Sequence, residues 1–222
     1  MQLSSHIKLR NLLLACALLL GGPGPSAAAL GNYELWHTEA QDIRLTERYT
    51  LALRESFRWQ KDGDLYHQEY DIGLLRAVSE NWKLGLNYRQ VYTKTESEDI
   101  EDESRPQLIA TWKRLLGKLS VESNNRLEYR AFEHKSPAYR YRNKFTVQFP
   151  VELSGMTFAP YAADEIFVQL NDMTFIKNRL YAGVTAGSGK ISFDFYYMRQ
   201  NSKNGSAWAT TEALGSTVKL RF

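Results

Sequence analysis

The sequence predicts an all-β chain: an antiparallel transmembrane β-barrel of about ten strands, with twelve as the alternative, behind an N-terminal signal peptide. Three observations predict it. The chain closes on Gly215-Ser216-Thr217-Val218-Lys219-Leu220-Arg221-Phe222. Phe222, Leu220, Val218 and Leu214 share one face of a strand, and Arg221, Lys219 and Thr217 share the other, as between lipid and water. The same alternation recurs along the chain in segments of about 10–15 residues separated by turn chemistry. The front end carries an export signal.

That signal has three parts. Lys8 and Arg10 precede an apolar run from Leu12 to Leu20, and Gly-Gly-Pro-Gly-Pro then leads into Ser26-Ala27-Ala28-Ala29. A charged n-region, an h-region and an A-x-A site place cleavage after Ala29, leaving 30–222 as one barrel domain. The apolar run is too short for a spanning helix, which needs roughly 20 residues. Cys16 lies inside it, so the mature chain has no Cys and its fold stands without a disulfide. Removing Lys8 and Arg10 from 28 bases against 25 acids leaves a net charge of +1, which is no footprint for nucleic acid. Mean hydropathy is negative. After residue 30 no apolar run approaches the length of a spanning helix, which excludes a helical membrane protein but not a barrel, in which only alternate residues meet lipid.

Each strand separates two faces. The first, 44–59, sends Leu45, Tyr49, Leu51, Leu53, Phe57 and Trp59 outward and Arg44, Arg48, Arg54 and Arg58 inward. Lys61-Asp62-Gly63-Asp64 turns the chain. The second, 65–76, sets Tyr66, Tyr70, Ile72 and Leu74 outside and His67, Glu69 and Asp71 inside. The third, 81–95, sets Trp82, Leu84, Leu86, Tyr88 and Tyr92 against Lys83, Asn87 and Arg89. An acidic loop from Glu96 to Glu103 follows, and the fourth strand, 105–114, shows Leu108, Ala110 and Trp112 outward. The fifth, 118–132, carries Glu122, Asn124, Arg126, Glu128 and Arg130 inward at strict period two. The sixth, 138–150, answers with Arg140, Arg142 and Lys144. The seventh, 157–170, turns Tyr161 and Glu165 inward, and the eighth, 174–186, turns Lys177, Arg179 and Tyr181 inward. The ninth, 190–200, opposes Phe193, Phe195 and Tyr197 to Asp194, and 209–222 is the tenth.

Longer connections such as Asn201–Trp208 and Glu133–Pro137 alternate with tight turns such as Gly187-Ser188-Gly189, as extracellular loops alternate with periplasmic turns. Residues 30–43 fall outside this count and suit a periplasmic tail, a lumen plug or an extra strand. A soluble sandwich or lipocalin-like barrel also alternates, but it buries its apolar face with fewer aromatics than the 13 Tyr, 10 Phe and 5 Trp found here.

The terminal strand, with Phe222, Leu220 and Val218, is similar to the sorting signal that brings barrels to the bacterial outer membrane through the barrel-assembly machinery. Outer-membrane lipids and lipopolysaccharide are then the expected surroundings. Asn125-Arg126-Leu127-Glu128-Tyr129-Arg130, Tyr139-Arg140-Tyr141-Arg142, Pro160-Tyr161 with Asp164-Glu165-Ile166-Phe167, and Asn178-Arg179-Leu180-Tyr181-Ala182-Gly183 resemble domain-of-unknown-function family 2490. The resemblance spans most of the mature chain. It implies an outer-membrane barrel and brings no activity, ligand or catalytic residue.

Function must be sought in the lumen. Bases outnumber acids on the inward faces, and a barrel of this size is only slightly wider than one filled by its side chains. Buried charges there must pair. The expected network sets Glu128 among Arg126, Arg130, Arg140 and Arg142, and Glu165 beside Arg142 and Arg179. A base-rich lumen implies a narrow anion-preferring channel or a binding site for small anions. Two alternatives are a closed structural or adhesion barrel acting through its loops, and an outer-membrane hydrolase or acyltransferase. For the last, His67 beside Glu69 and Asp71 is the inward histidine. No Ser lies in a nucleophile motif, no residues have metal spacing, and no cofactor is implied.

Overall fold

The computed structural model describes residues 33–222, Glu96 and Glu98 excepted. The signal peptide expected over 1–29 lies outside the described residues. Among these the chain forms strands and turns: β1 (Glu34–Arg44), β2 (Tyr49–Trp59), β3 (Leu65–Ala77), β4 (Trp82–Lys94), β5 (Ile100–Leu116), β6 (Leu119–Phe132), β7 (Ala138–Gln148), β8 (Val151–Leu153), β9 (Met156–Gln169), β10 (Thr174–Ser188), β11 (Ile191–Asn204) and β12 (Ala207–Arg221). Eleven of them close a barrel, and β8 pairs only with β9 outside it. The wall thus holds one strand more than the ten counted from alternation.

The added strand is β1. Its outward set, Leu35, His37, Glu39, Gln41 and Ile43, is about as polar as its inward set, so period two carries no contrast there. An odd meander brings its first and last strands together pointing the same way. β1 and β12 therefore pair in parallel, from Glu34 opposite Ala213 to Asp42 opposite Arg221. The C-terminus is tied into this seam: the Phe222 amide donates to Asp42 O (2.9 Å) and the Arg44 amide donates to Phe222 O (2.8 Å). Val218 and Leu220 face outward beside it. β8 continues β7 along β9 in unbroken register, Gln148 opposite Tyr161 and Val151 opposite Phe158. Pro150, which has no N–H and restricts Phe149, interrupts the two.

The outer face is apolar. Leu51, Leu74, Leu86, Leu108 and Leu127 stand directly opposite one another across five successive strands. Leu86 is 64% and Leu108 54% exposed. Aromatics flank this row: Trp82 faces Trp112 on one side, and the Tyr129–Tyr139 and Phe175–Trp208 ring pairs lie on the other. Polar residues interrupt the outer face in several places: Ser123, Asn125 and Asn143, whose side chains satisfy one another; Asn178, which donates to Asp164; and His37, Glu39, Glu55 and Ser216 at the seam.

Four sequence readings change. Arg44 ends β1 at the exposed rim, and Leu45–Arg48 form a turn stabilised by the Thr46 hydroxyl, which accepts the amides of Arg48 and Tyr49, so Arg44 and Arg48 do not line the lumen. A bulge between Arg58 and Trp59 turns Tyr66 inward, where its hydroxyl donates to Glu34. The acidic loop is shorter than expected, because Glu101–Glu103 belong to β5. β11 and β12 likewise extend through most of 201–208, leaving a turn at Gly205-Ser206.

Inside, Trp36, Ala163, Tyr181, Met198 and Ala213 form a small core with Tyr161 and Tyr196 against it. Gly215 is required there: a Cβ would run into the Tyr196 ring. Gly215→Val is expected to cost about 1–3 kcal/mol through overpacking. A lowered urea midpoint of the refolded barrel checks this; an unchanged midpoint would show that Tyr196 repacks freely.

Candidate functional site

The inward faces bring charges of neighbouring strands together, and register selects the partners. Glu128 stands across from Arg140, Asp71 from Arg89, and Glu165 from both Lys144 and Arg179. Cross-strand neighbours lie about 4.5–5.5 Å apart at Cβ. Residues two apart along a strand lie roughly 7 Å apart. Cross-strand pairs therefore predominate, with Arg105–Glu103 and His67–Glu69 as same-strand pairs two residues apart.

Glu165 is held from three sides. Arg142 Nε donates to Oε1, the Tyr181 hydroxyl donates to Oε2 at 2.8 Å, and Arg179 Nη1 lies 3.5 Å from Oε2. Glu128 Oε2 accepts Arg140 Nε at 2.6 Å, and Arg142 Nη1 lies 3.9 Å from Oε1. Arg142 so links the two carboxylates. Glu69 accepts Arg58 Nη2 at 2.7 Å and Arg89 Nη1 at 2.6 Å, and Arg89 Nε donates to Asp71 at 2.6 Å. Glu103 takes a two-pronged bond from each of Arg105 and Arg130. Arg suits these places because its planar fork pairs with carboxylate while its face stacks on rings. Arg140, Arg142 and Arg179 lie 5.3, 5.0 and 4.9 Å from the Phe167 ring centre, and Trp36 stacks between Arg58 and Arg179.

This girdle fills the lumen at mid-height. Glu128, Glu165 and Phe167 are 0%, 1% and 2% exposed. Two cavities border the girdle. One of about 370 Å³ opens toward the rim that carries the C-terminus, and one of about 220 Å³ toward the other. Arg54, Arg126 and Lys144 line the larger cavity, and among the described residues none has a carboxylate at ion-pair distance. Arg126 Nε donates to Asn124 Oδ1 at 2.8 Å, and Lys144 Nζ lies 3.9 Å from the Tyr181 ring centre.

All seven expected lumen residues face inward. Glu128, Arg140, Arg142, Glu165 and Arg179 form one connected network. Arg130 binds Glu103 instead of Glu128, and Arg126 stands apart in the larger cavity, so Glu128 is not flanked by its two same-strand arginines. Sequence reasoning missed Glu103, Arg105, Phe167 and Trp36. Glu103 and Arg105 keep the period-two step that ends on Gln107, and that step was the available signal. Trp36 sat on the unrecognised β1. His67 has both ring nitrogens occupied, by Thr93 Oγ1 at 2.8 Å and Glu69 Oε1 at 2.9 Å, and bridges the wall. Among the described residues no group of His, Cys, Asp and Glu is arranged to hold a metal ion.

No curated protein and no solved structure matches the chain significantly. The model of the family described as protein of unknown function (DUF2490) matches residues 33–211, from β1 into β12, and the chain belongs to that family.

Proposed function

We propose that the chain is an outer-membrane barrel whose basic lumen binds small anions in the cavity beside Arg54, Arg126 and Lys144, with the girdle keeping the path across the barrel closed at rest. The observation that carries the binding reading is that Arg54, Arg126 and Lys144 line one cavity, shared with Glu122, Glu165 and Asp194, and that among the described residues none of the three has a carboxylate at ion-pair distance. An unsatisfied cation in a low-dielectric wall attracts an anion and repels cations. The two-pronged donor of Arg126 suits a phosphate or a sugar carboxylate. The exposed leucine row and its aromatic flanks support a lipid-facing exterior.

Titration calorimetry of the detergent-refolded mature chain tests the reading, with inorganic phosphate and galacturonate as probes. Saturable binding that weakens with salt is expected. Arg126→Gln with Lys144→Gln is expected to weaken it about 10–100-fold, the loss of a charge-assisted contact. No saturable binding in the wild type would sink it. In planar bilayers the wild type is expected to stay silent or open in brief anion-selective steps; steady cation-selective conductance would contradict both parts. A barrel that is silent and binds nothing would leave the closed structural reading, which the fully covered Glu128, Glu165 and Phe167 already favour over an open pore.

A further inference from the structure

We infer that the outer face of the barrel carries a serine-nucleophile site, Ser216 with His37 and Glu39, that cleaves ester bonds of bilayer lipids. The parallel seam sets His37 directly across from Ser216, although 179 positions separate them in the chain. Ser216 Oγ lies 2.8 Å from His37 Nδ1. Glu39 Oε1 lies 3.8 Å from His37 Nε2, the other ring nitrogen. Hydroxyl, imidazole and carboxylate thus follow one another in the order that activates a serine.

The placement gives the substrate class. Trp36 and Thr217 line the lumen cavity, which His37 also borders; by alternation along the strands, and opposite outward Phe57 and Phe195, the side chains of His37, Glu39 and Ser216 point out of the barrel. Their outward neighbours by register are Leu35, Phe57, Leu214, Val218 and Phe195, an apolar surface on which Phe195 is 57% exposed. The His37 and Glu39 side chains are 32% and 33% exposed. A reagent reaches them from outside the wall. Ionisable groups on a lipid-facing surface are costly and mark function by default. Ser216 and His37 alone would satisfy one another; Glu39 adds a charge that mutual satisfaction does not require, and Glu55 stands across from it on β2.

The step balances within these groups plus water. Ser216 Oγ attacks the ester carbonyl carbon and gives its proton to His37 Nδ1, while Glu39 faces the Nε2–H of the imidazolium. The C–O bond of the ester breaks and the alcohol leaves with the proton from His37. Water then attacks the acyl-Ser216, His37 takes its proton and returns it to Ser216 Oγ, and a fatty acid is released.

The lipid substrate rests on the membrane-facing assignment of the exterior, but the reactivity of the serine does not, and neither depends on anion binding in the lumen. The refolded mature chain is therefore first treated with a fluorophosphonate probe in detergent, and the modified residue is mapped by mass spectrometry. Labelling at Ser216 is expected. It should be lost in Ser216→Ala, fall about 10²–10⁴-fold in rate in His37→Ala and less in Glu39→Gln, and persist in Ser188→Ala at a rim turn. A shift in gel mobility on heating shows that each variant is folded. No labelling of the folded wild type, or label mapped elsewhere, would overturn the site. Release of fatty acid from phosphatidylethanolamine vesicles is then expected from the wild type and not from Ser216→Ala; labelling without release would refute lipid as the substrate and leave the nucleophile standing.

Discussion

Glu165→Ala is expected to destabilise the barrel by about 3–5 kcal/mol, the cost of breaking a buried ion pair from one side. Arg142, Arg179 and the Tyr181 hydroxyl all converge on this carboxylate, and it is 1% exposed. Without it two guanidinium groups share one low-dielectric space with no intervening negative charge. Glu165→Gln keeps an acceptor for Tyr181 and is expected to lose less. Replacing both partners, Glu165→Leu with Arg142→Leu, is expected to recover part of the loss, because apolar groups of similar volume need no partner. Glu133→Ala is the comparison: its pair with His134 is exposed, and surface changes of that kind stay within about 0.5 kcal/mol. Urea titration of tryptophan fluorescence in micelles measures all four. Equal midpoints for Glu165→Ala and Glu133→Ala would show that the girdle does not hold the barrel together.

Leu108→Arg separates the two readings of the exterior. Leu108 is the fourth leucine of the outward row, between Leu86 and Leu127. If that row faces the hydrocarbon, an Arg there costs about 2–4 kcal/mol near mid-bilayer. In a soluble barrel the same position meets water, and removing one leucine from a row of five exposed ones would be neutral or would improve solubility. Folding yield into lipid vesicles, scored by gel mobility, decides the sign. A large loss supports the membrane reading; wild-type folding in buffer without detergent would refute it.

The alternation that made the faces legible is a local property, and it held where charges were confined to one face. Glu122 to Arg130 on β6 and Tyr139 to Val147 on β7 were sorted correctly from sequence because period two is a geometric necessity of a strand. It failed where both faces are mixed, as on β1, and where a bulge shifts the phase, as at Tyr66. The acidic run misled for a different reason. Glu101–Glu103 look like a solvated loop until Arg105 and Arg130 are seen to cover Glu103, and the second of these lies 27 positions away.

Residue type and spacing along single strands suffice for the all-β class, for the inward side of most strands and for the excess of bases on that side. Tertiary structure was needed for the odd strand number, the parallel seam and the partners of Arg58, Arg89 and Arg130. It also decided the meeting of His37 with Ser216. Those depend on which strands become neighbours and in what register, and a chain carries no local mark of a neighbour that comes from its opposite end.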